Sequence, residues 1–81
     1  MVVKIRARIG WWEEDERRAV AVASALEPCN REAPRGMKIH TYNVGRKVIT
    51  EIEMRGRPET LAATIDDLLA CALVVQRVLK I

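Results

Sequence analysis

From Pro58 onward, one predicted helix carries more apolar surface than a chain of 81 residues can cover by itself. Leu61, Ile65, Leu68, Ala72, Val75 and Leu79 step by four and three, which places them on one helical stripe of the kind that faces a core. Between Leu68 and Val75 all eight residues are apolar, so a second face of Leu69, Leu73, Val74 and Val78 is apolar too. A helix that is apolar most of the way round has to be covered by something. A chain this short forms one domain and buries only roughly 60% of its unfolded surface. The expected cover is another protein chain, and Leu69, Leu73, Val74 and Val78 are the candidate partner or dimer interface.

The remainder alternates between strand and helix signals. Val3, Ile5, Ala7 and Ile9 interleave with Lys4, Arg6 and Arg8, the pattern of a half-buried strand with a basic outer face. Glu13, Glu14, Asp15 and Glu16 form an acidic first turn suited to the positive end of a helix dipole, and an alanine- and valine-rich body runs on to Leu26. Pro28 and Asn30 are expected to stop that helix, and Cys29 to Gly36 to form a loop. Two further strands flank Asn43-Val44-Gly45-Arg46, which reads as a tight hairpin. On the return strand Val48, Thr50, Ile52 and Met54 face inward while Glu51 and Glu53 face out, and Pro58 suits the first position of the last helix, which is expected to run to Ile81. The order β-α-β-β-α predicts a two-layer α+β fold, a three-stranded, mainly antiparallel sheet with two helices on one face. One domain spans residues 1–81.

Several function classes are disfavoured by the residues themselves. Cys29 and Cys71 make no metal-ligand spacing and His40 is the single histidine, so no metal is expected. Asp66 and Asp67 are helix neighbours pointing about 100° apart, which is not a facing acid-base pair. The one serine, Ser24, sits in a helix body away from any base, and Gly45 is isolated rather than part of a phosphate-cradling loop. No enzyme activity and no cofactor are expected. The longest apolar run falls well short of the about twenty residues of a membrane span. The start Met-Val-Val-Lys-Ile-Arg lacks a signal-peptide hydrophobic region, so the expected compartment is the cytoplasm.

Fourteen Lys and Arg against eleven acids give a net charge of +3, compatible with a nucleic-acid partner. Lys4, Arg6 and Arg8 on one strand face, with Arg46 and Lys47 at the hairpin, are the candidate RNA contacts, and Tyr42 offers a ring for stacking. The same outer face carries Lys38, His40, Glu51 and Glu53, where Arg-Glu cross-strand pairs are expected on a solvated surface. Trp11 and Trp12 divide the strand-to-helix corner, one anchoring it against the core and its neighbour exposed.

Three stretches carry a family resemblance. Ala25-Leu26-Glu27-Pro28-Cys29-Asn30 is similar to an Ala-Leu-x-Pro-Asp-Asn signal. Gly45-Arg46-Lys47-Val48-Ile49-Thr50-Glu51-Ile52-Glu53 looks like a hairpin glycine followed by an alternating last strand. Leu61-Ala62-Ala63-Thr64-Ile65-Asp66-Asp67-Leu68-Leu69 is similar to Leu-Arg-Ala-x-x-Asn-Ser-x-Leu. In this order and spacing they resemble the Pcc family, the small dimerisation subunit of the KEOPS complex that makes threonylcarbamoyladenosine in tRNA. The departures are Cys29 for an acid, Ala62 for an arginine, and Asp66-Asp67 for Asn-Ser.

The resemblance implies assembly rather than catalysis: a homodimer that holds the catalytic threonylcarbamoyl-transferase subunit of KEOPS through a helical bundle and meets tRNA through the complex. The alternatives are a stand-alone RNA-binding module, or a diverged paralogue that still pairs but has another protein partner.

Overall fold

The computed structural model describes residues 3–30 and 36–79. The elements are β1 (Val3–Trp12), α1 (Glu16–Asn30), β2 (Met37–Val44), β3 (Lys47–Gly56) and α2 (Pro58–Leu79). The strands form one sheet in the order β1-β3-β2, with β3 in the centre and antiparallel to both neighbours. Both helices cover one side, giving the α+β, two-layer β-α-β-β-α arrangement.

Side-chain alternation decides which side that is. Val48, Thr50, Ile52 and Met54 on β3 are all buried, and their register partners on β1 are Trp11, Ile9, Ala7 and Ile5. The core has two centres under the helices. Ala19, Val22, Ala23 and Leu26 of α1 pack with Val48, against Cys71, Ala72, Val75 and Leu79 of α2. Met37, Ile52 and Met54 pack with Ile5, Ala7 and Ile39 of the sheet and Leu61 and Ile65 of α2. The four-and-three stripe of α2 therefore faces the core along its length. Thr41 and Thr50, opposite one another on the inner face, satisfy their buried hydroxyls mutually at 2.9 Å.

The β2–β3 connection is tighter than the sequence suggests. Val44 pairs with Lys47, so the loop is Gly45-Arg46 alone. Gly45 has φ +58° while no other described residue except Gly36 is positive, which fits the hairpin turn that needs a left-handed first residue and an ordinary second one.

The start of α1 also differs from expectation. The helix begins at Glu16, and Asp15 is its cap, its Oδ1 accepting the Arg18 N–H at 2.8 Å. Glu13 lies outside the helix and is buried. At the other end α1 continues to Asn30 rather than stopping at Pro28. The expected loop at 31–35, the side chain of Cys29, and the helix end at Lys80 and Ile81 lie outside the described residues. No helix among the described residues is long and apolar enough to cross a membrane.

Candidate interaction surfaces

The inside of the corner between β1 and α1 holds a polar hub that locks the layers together. Glu13 accepts hydrogen bonds from Trp11 Nε1 at 2.9 Å, from Arg18 Nε at 3.0 Å and from the side-chain amide of Gln76 on α2. Its backbone N–H donates to the Arg46 carbonyl at 2.9 Å, and its own carbonyl accepts Arg46 Nε at 3.0 Å. One residue thus ties the end of β1 to the start of α1, the hairpin turn and the last helix. Trp11 is the corner anchor and Trp12, at 68% exposure, is the outward neighbour. No sequence motif marks this hub; a carboxylate within an acidic run looks solvated until the fold brings Gln76 against it.

The four candidate interface residues of α2 are all exposed: Leu69 at 46%, and Leu73, Val74 and Val78 at about 62%. They do not form a single face. At 100° per residue Leu69 and Leu73 lie on one flank of the core-facing stripe, while Val74 and Val78 lie on the other, with Leu69 and Val78 roughly 180° apart. Asp66, Ala70 and Arg77 occupy the solvent side between the flanks and are exposed as well. The reading of one second face is therefore corrected to two apolar flanks, because an eight-residue apolar run spans more than two helical turns.

The two sheet edges are unlike. On β2, the Thr41 N–H points away from β3 and donates to Glu27 Oε1 of α1 at 2.8 Å. His40 Nδ1 lies 3.3 Å from the same carboxylate oxygen. Since Thr41 does not spend its N–H on β3, the Thr41–Thr50 pair is of the non-hydrogen-bonded kind, and strict alternation assigns the outward backbone groups of β1 to Lys4, Arg6, Arg8 and Gly10. No strand among the described residues pairs with that edge. Below it, Val3, Ile5, Ala7, Ile9 and Trp11 are each only half-buried.

On the outer sheet face the expected cross-strand pairs are present. Lys4 Nζ and Arg6 Nε approach the Glu53 carboxylate at 3.6 and 3.8 Å, and Arg8 Nε approaches Glu51 at 3.7 Å. Tyr42 donates its hydroxyl proton to Glu51 at 2.8 Å and stacks on His40 with ring centroids 5.3 Å apart. Lys47 Nζ sits 5.6 Å from the centre of the Trp12 ring. Of the candidate RNA contacts, Lys4, Arg6, Arg8 and Lys47 share this face. Arg46 does not join them, because its guanidinium is turned to the Glu13 carbonyl. The face is not wholly solvated either: Ile49, between Gly10 and Tyr42, is 4% exposed.

Asp66 and Asp67 are exposed on α2, Ser24 is exposed on α1, and no base lies against any of them among the described contacts. Among the described residues no cluster of His, Cys, Asp and Glu is arranged to hold a metal ion. No family model matches the chain, and no curated protein matches it in sequence.

Proposed function

We propose that this chain is a non-catalytic dimerisation and scaffold subunit of the KEOPS kind, pairing with a second copy of itself and holding a catalytic threonylcarbamoyl-transferase subunit for tRNA modification. The carrying observation is the pair of exposed apolar flanks on α2. A helix whose core-facing stripe packs against the sheet and α1, and which still exposes Leu69 and Leu73 on one side and Val74 and Val78 on the other, has room for two different contacts.

The unlike sheet edges support pairing as well. The Glu27 side chain covers the Thr41 donor on β2, whereas β1 offers an outward row of backbone groups above half-buried Ile5, Ala7 and Ile9. Two copies joined along β1 would satisfy those groups, bury the half-exposed row and leave all helices on one side. The three stretches that resemble the Pcc family fall on structurally demanding positions: Leu26 in the core, Gly45 in the hairpin, and Leu61, Ile65 and Leu68 under α2.

The test is light scattering on the purified chain, with co-purification of a co-expressed threonylcarbamoyl-transferase subunit. A dimer that retains the subunit is expected. A monodisperse monomer that retains nothing would sink the reading, and so would turnover of ATP or threonylcarbamoyl-adenylate by the chain alone.

A further inference from the structure

Charge is not spread evenly over this molecule. Register and alternation place Lys4, Arg6, Arg8, Lys38, Lys47 and Arg55 on the outer sheet face, against the acids Glu51 and Glu53. Six cations less two anions leave an excess of four, larger than the +3 of the whole chain. The rest of the sequence therefore sums to −1, and the net positive charge is concentrated on this sheet face.

Ion pairing does not use this field up. The bridges to Glu51 and Glu53 are 3.6 to 3.8 Å long, with side chains about half or more exposed. Pairs of that kind are worth little in water and are readily exchanged for another anion. They hold Arg6 and Arg8 upright on the face without neutralising it.

Aromatic rings stand in the same plane. Trp12 is 68% exposed at one edge strand, and Tyr42 stacks with His40 on the other, two strand spacings or roughly 10 Å away. Between them lies a dip lined by Arg8, Gly10, Lys47 and Ile49. It exists because Gly10 has no side chain. Lys47 crosses it, its Cε only 2.9 Å from where a Cβ on Gly10 would stand, on its way to the Trp12 ring. A cation laid across an exposed tryptophan beside an open groove can pass to a phosphate while the ring takes a base.

We propose that the outer sheet face, through Trp12, Arg8 and Arg6 of the edge strand β1 and Lys47 beside them on β3, binds single-stranded nucleic acid, a base stacking on Trp12 and the backbone phosphates crossing Arg6, Arg8 and Lys47. An acidic protein surface would satisfy the cations but gives the exposed rings no planar partner. A duplex keeps its bases stacked inside and offers the rings nothing. A single strand uses both. The side chains of this surface point away from the helices, but Arg6, Arg8 and Trp12 stand on β1, the proposed pairing edge; oligomeric state measured on the same samples therefore distinguishes a loss of pairing from a loss of nucleic-acid binding.

The experiment is fluorescence anisotropy of a labelled single-stranded RNA of about 12 nucleotides, its duplex as comparison, titrated with the full chain from about 50 to 200 mM salt. Folding of each variant is checked by circular dichroism. Trp12→Ala should weaken single-strand binding about tenfold with the salt slope unchanged, while Trp12→Phe retains most of it. Arg6→Gln with Arg8→Gln should reduce the slope of log K against log salt by about 1.4, the share of two phosphate contacts on a single strand. Absence of binding at the highest soluble concentration overturns the proposal. So does duplex binding as tight as single-strand binding with Trp12→Ala inert, or equal competition by polyglutamate, which would make the face a site for acidic polypeptides.

Discussion

The Glu27 carboxylate accepts the Thr41 N–H at 2.8 Å and so occupies an outward donor of β2, the strand that would otherwise be as open an edge as β1. A charge-assisted bond from helix to strand blunts one edge of a small sheet, while no strand among the described residues pairs with the other. This asymmetry makes the pairing edge testable.

Glu27→Ala should lower stability by about 1.5–3 kcal/mol, the range for a hydrogen bond to a charged group, as read by urea denaturation. If the proposed pairing runs along β1, a dimer should persist by light scattering, because that edge does not involve Glu27. Dissociation of a still-folded Glu27→Ala variant would move the pairing to the β2 edge.

The Glu13 hub predicts a larger effect. The Arg18 and Glu13 side chains are only 18% and 5% exposed, so removing the cation leaves a carboxylate with two neutral donors in a dry corner. Arg18→Met should cost about 3–5 kcal/mol of unfolding free energy. Gln76→Ala removes one neutral partner and should cost less, about 1–3 kcal/mol. Equal stability of Arg18→Met and wild type in chemical denaturation would show that the hub contributes nothing net.

These two contacts also mark where sequence reading stops. Alternation located β1 and β3 and the inward row Val48, Thr50, Ile52 and Met54, because each strand has one dry face and a period of two leaves no freedom. The four-and-three stripe of α2 was equally legible. Glu13 was not, since its partner Gln76 is 63 residues away and an acidic run before a helix has an adequate local explanation. The same holds for Glu27 and Thr41: nothing local says that a glutamate near a helix end will reach over a strand edge. For the candidate surfaces, composition named the residues but not their grouping. Placement shows that Arg46 leaves the basic face, whereas the division of the apolar residues of α2 between two flanks follows from 100° per residue and was open to the sequence.

Thr41 and Thr50 allow a cleaner energetic test. Thr50→Val alone removes the 2.9 Å bond between the two hydroxyls and should destabilise by about 0.5–1.5 kcal/mol. Replacing both by Val keeps shape and removes both polar groups, so the double variant should recover most of that loss. A double variant as unstable as the sum of the singles would mean that the pair is not coupled.

The two flanks of α2 give the prediction on which the scaffold reading depends most. Leu73 and Val74 are 62% and 61% exposed, so neither Leu73→Glu nor Val74→Glu should unfold the chain, whereas Leu68→Glu, at a position 5% exposed, should. Adjacent residues on a helix point about 100° apart, so the two glutamates fall on different flanks. If one flank meets a second copy and the other meets the catalytic subunit, each substitution buries an unpaired charge at one contact only and should weaken it by at least a hundredfold, about 2.7 kcal/mol, leaving the other within threefold. Light scattering reads the first contact and co-purification the second, with circular dichroism confirming the fold. Loss of both contacts in both variants would mean one continuous interface. Loss of neither, in folded protein, would remove α2 from the assembly and with it the observation on which the proposed function stands.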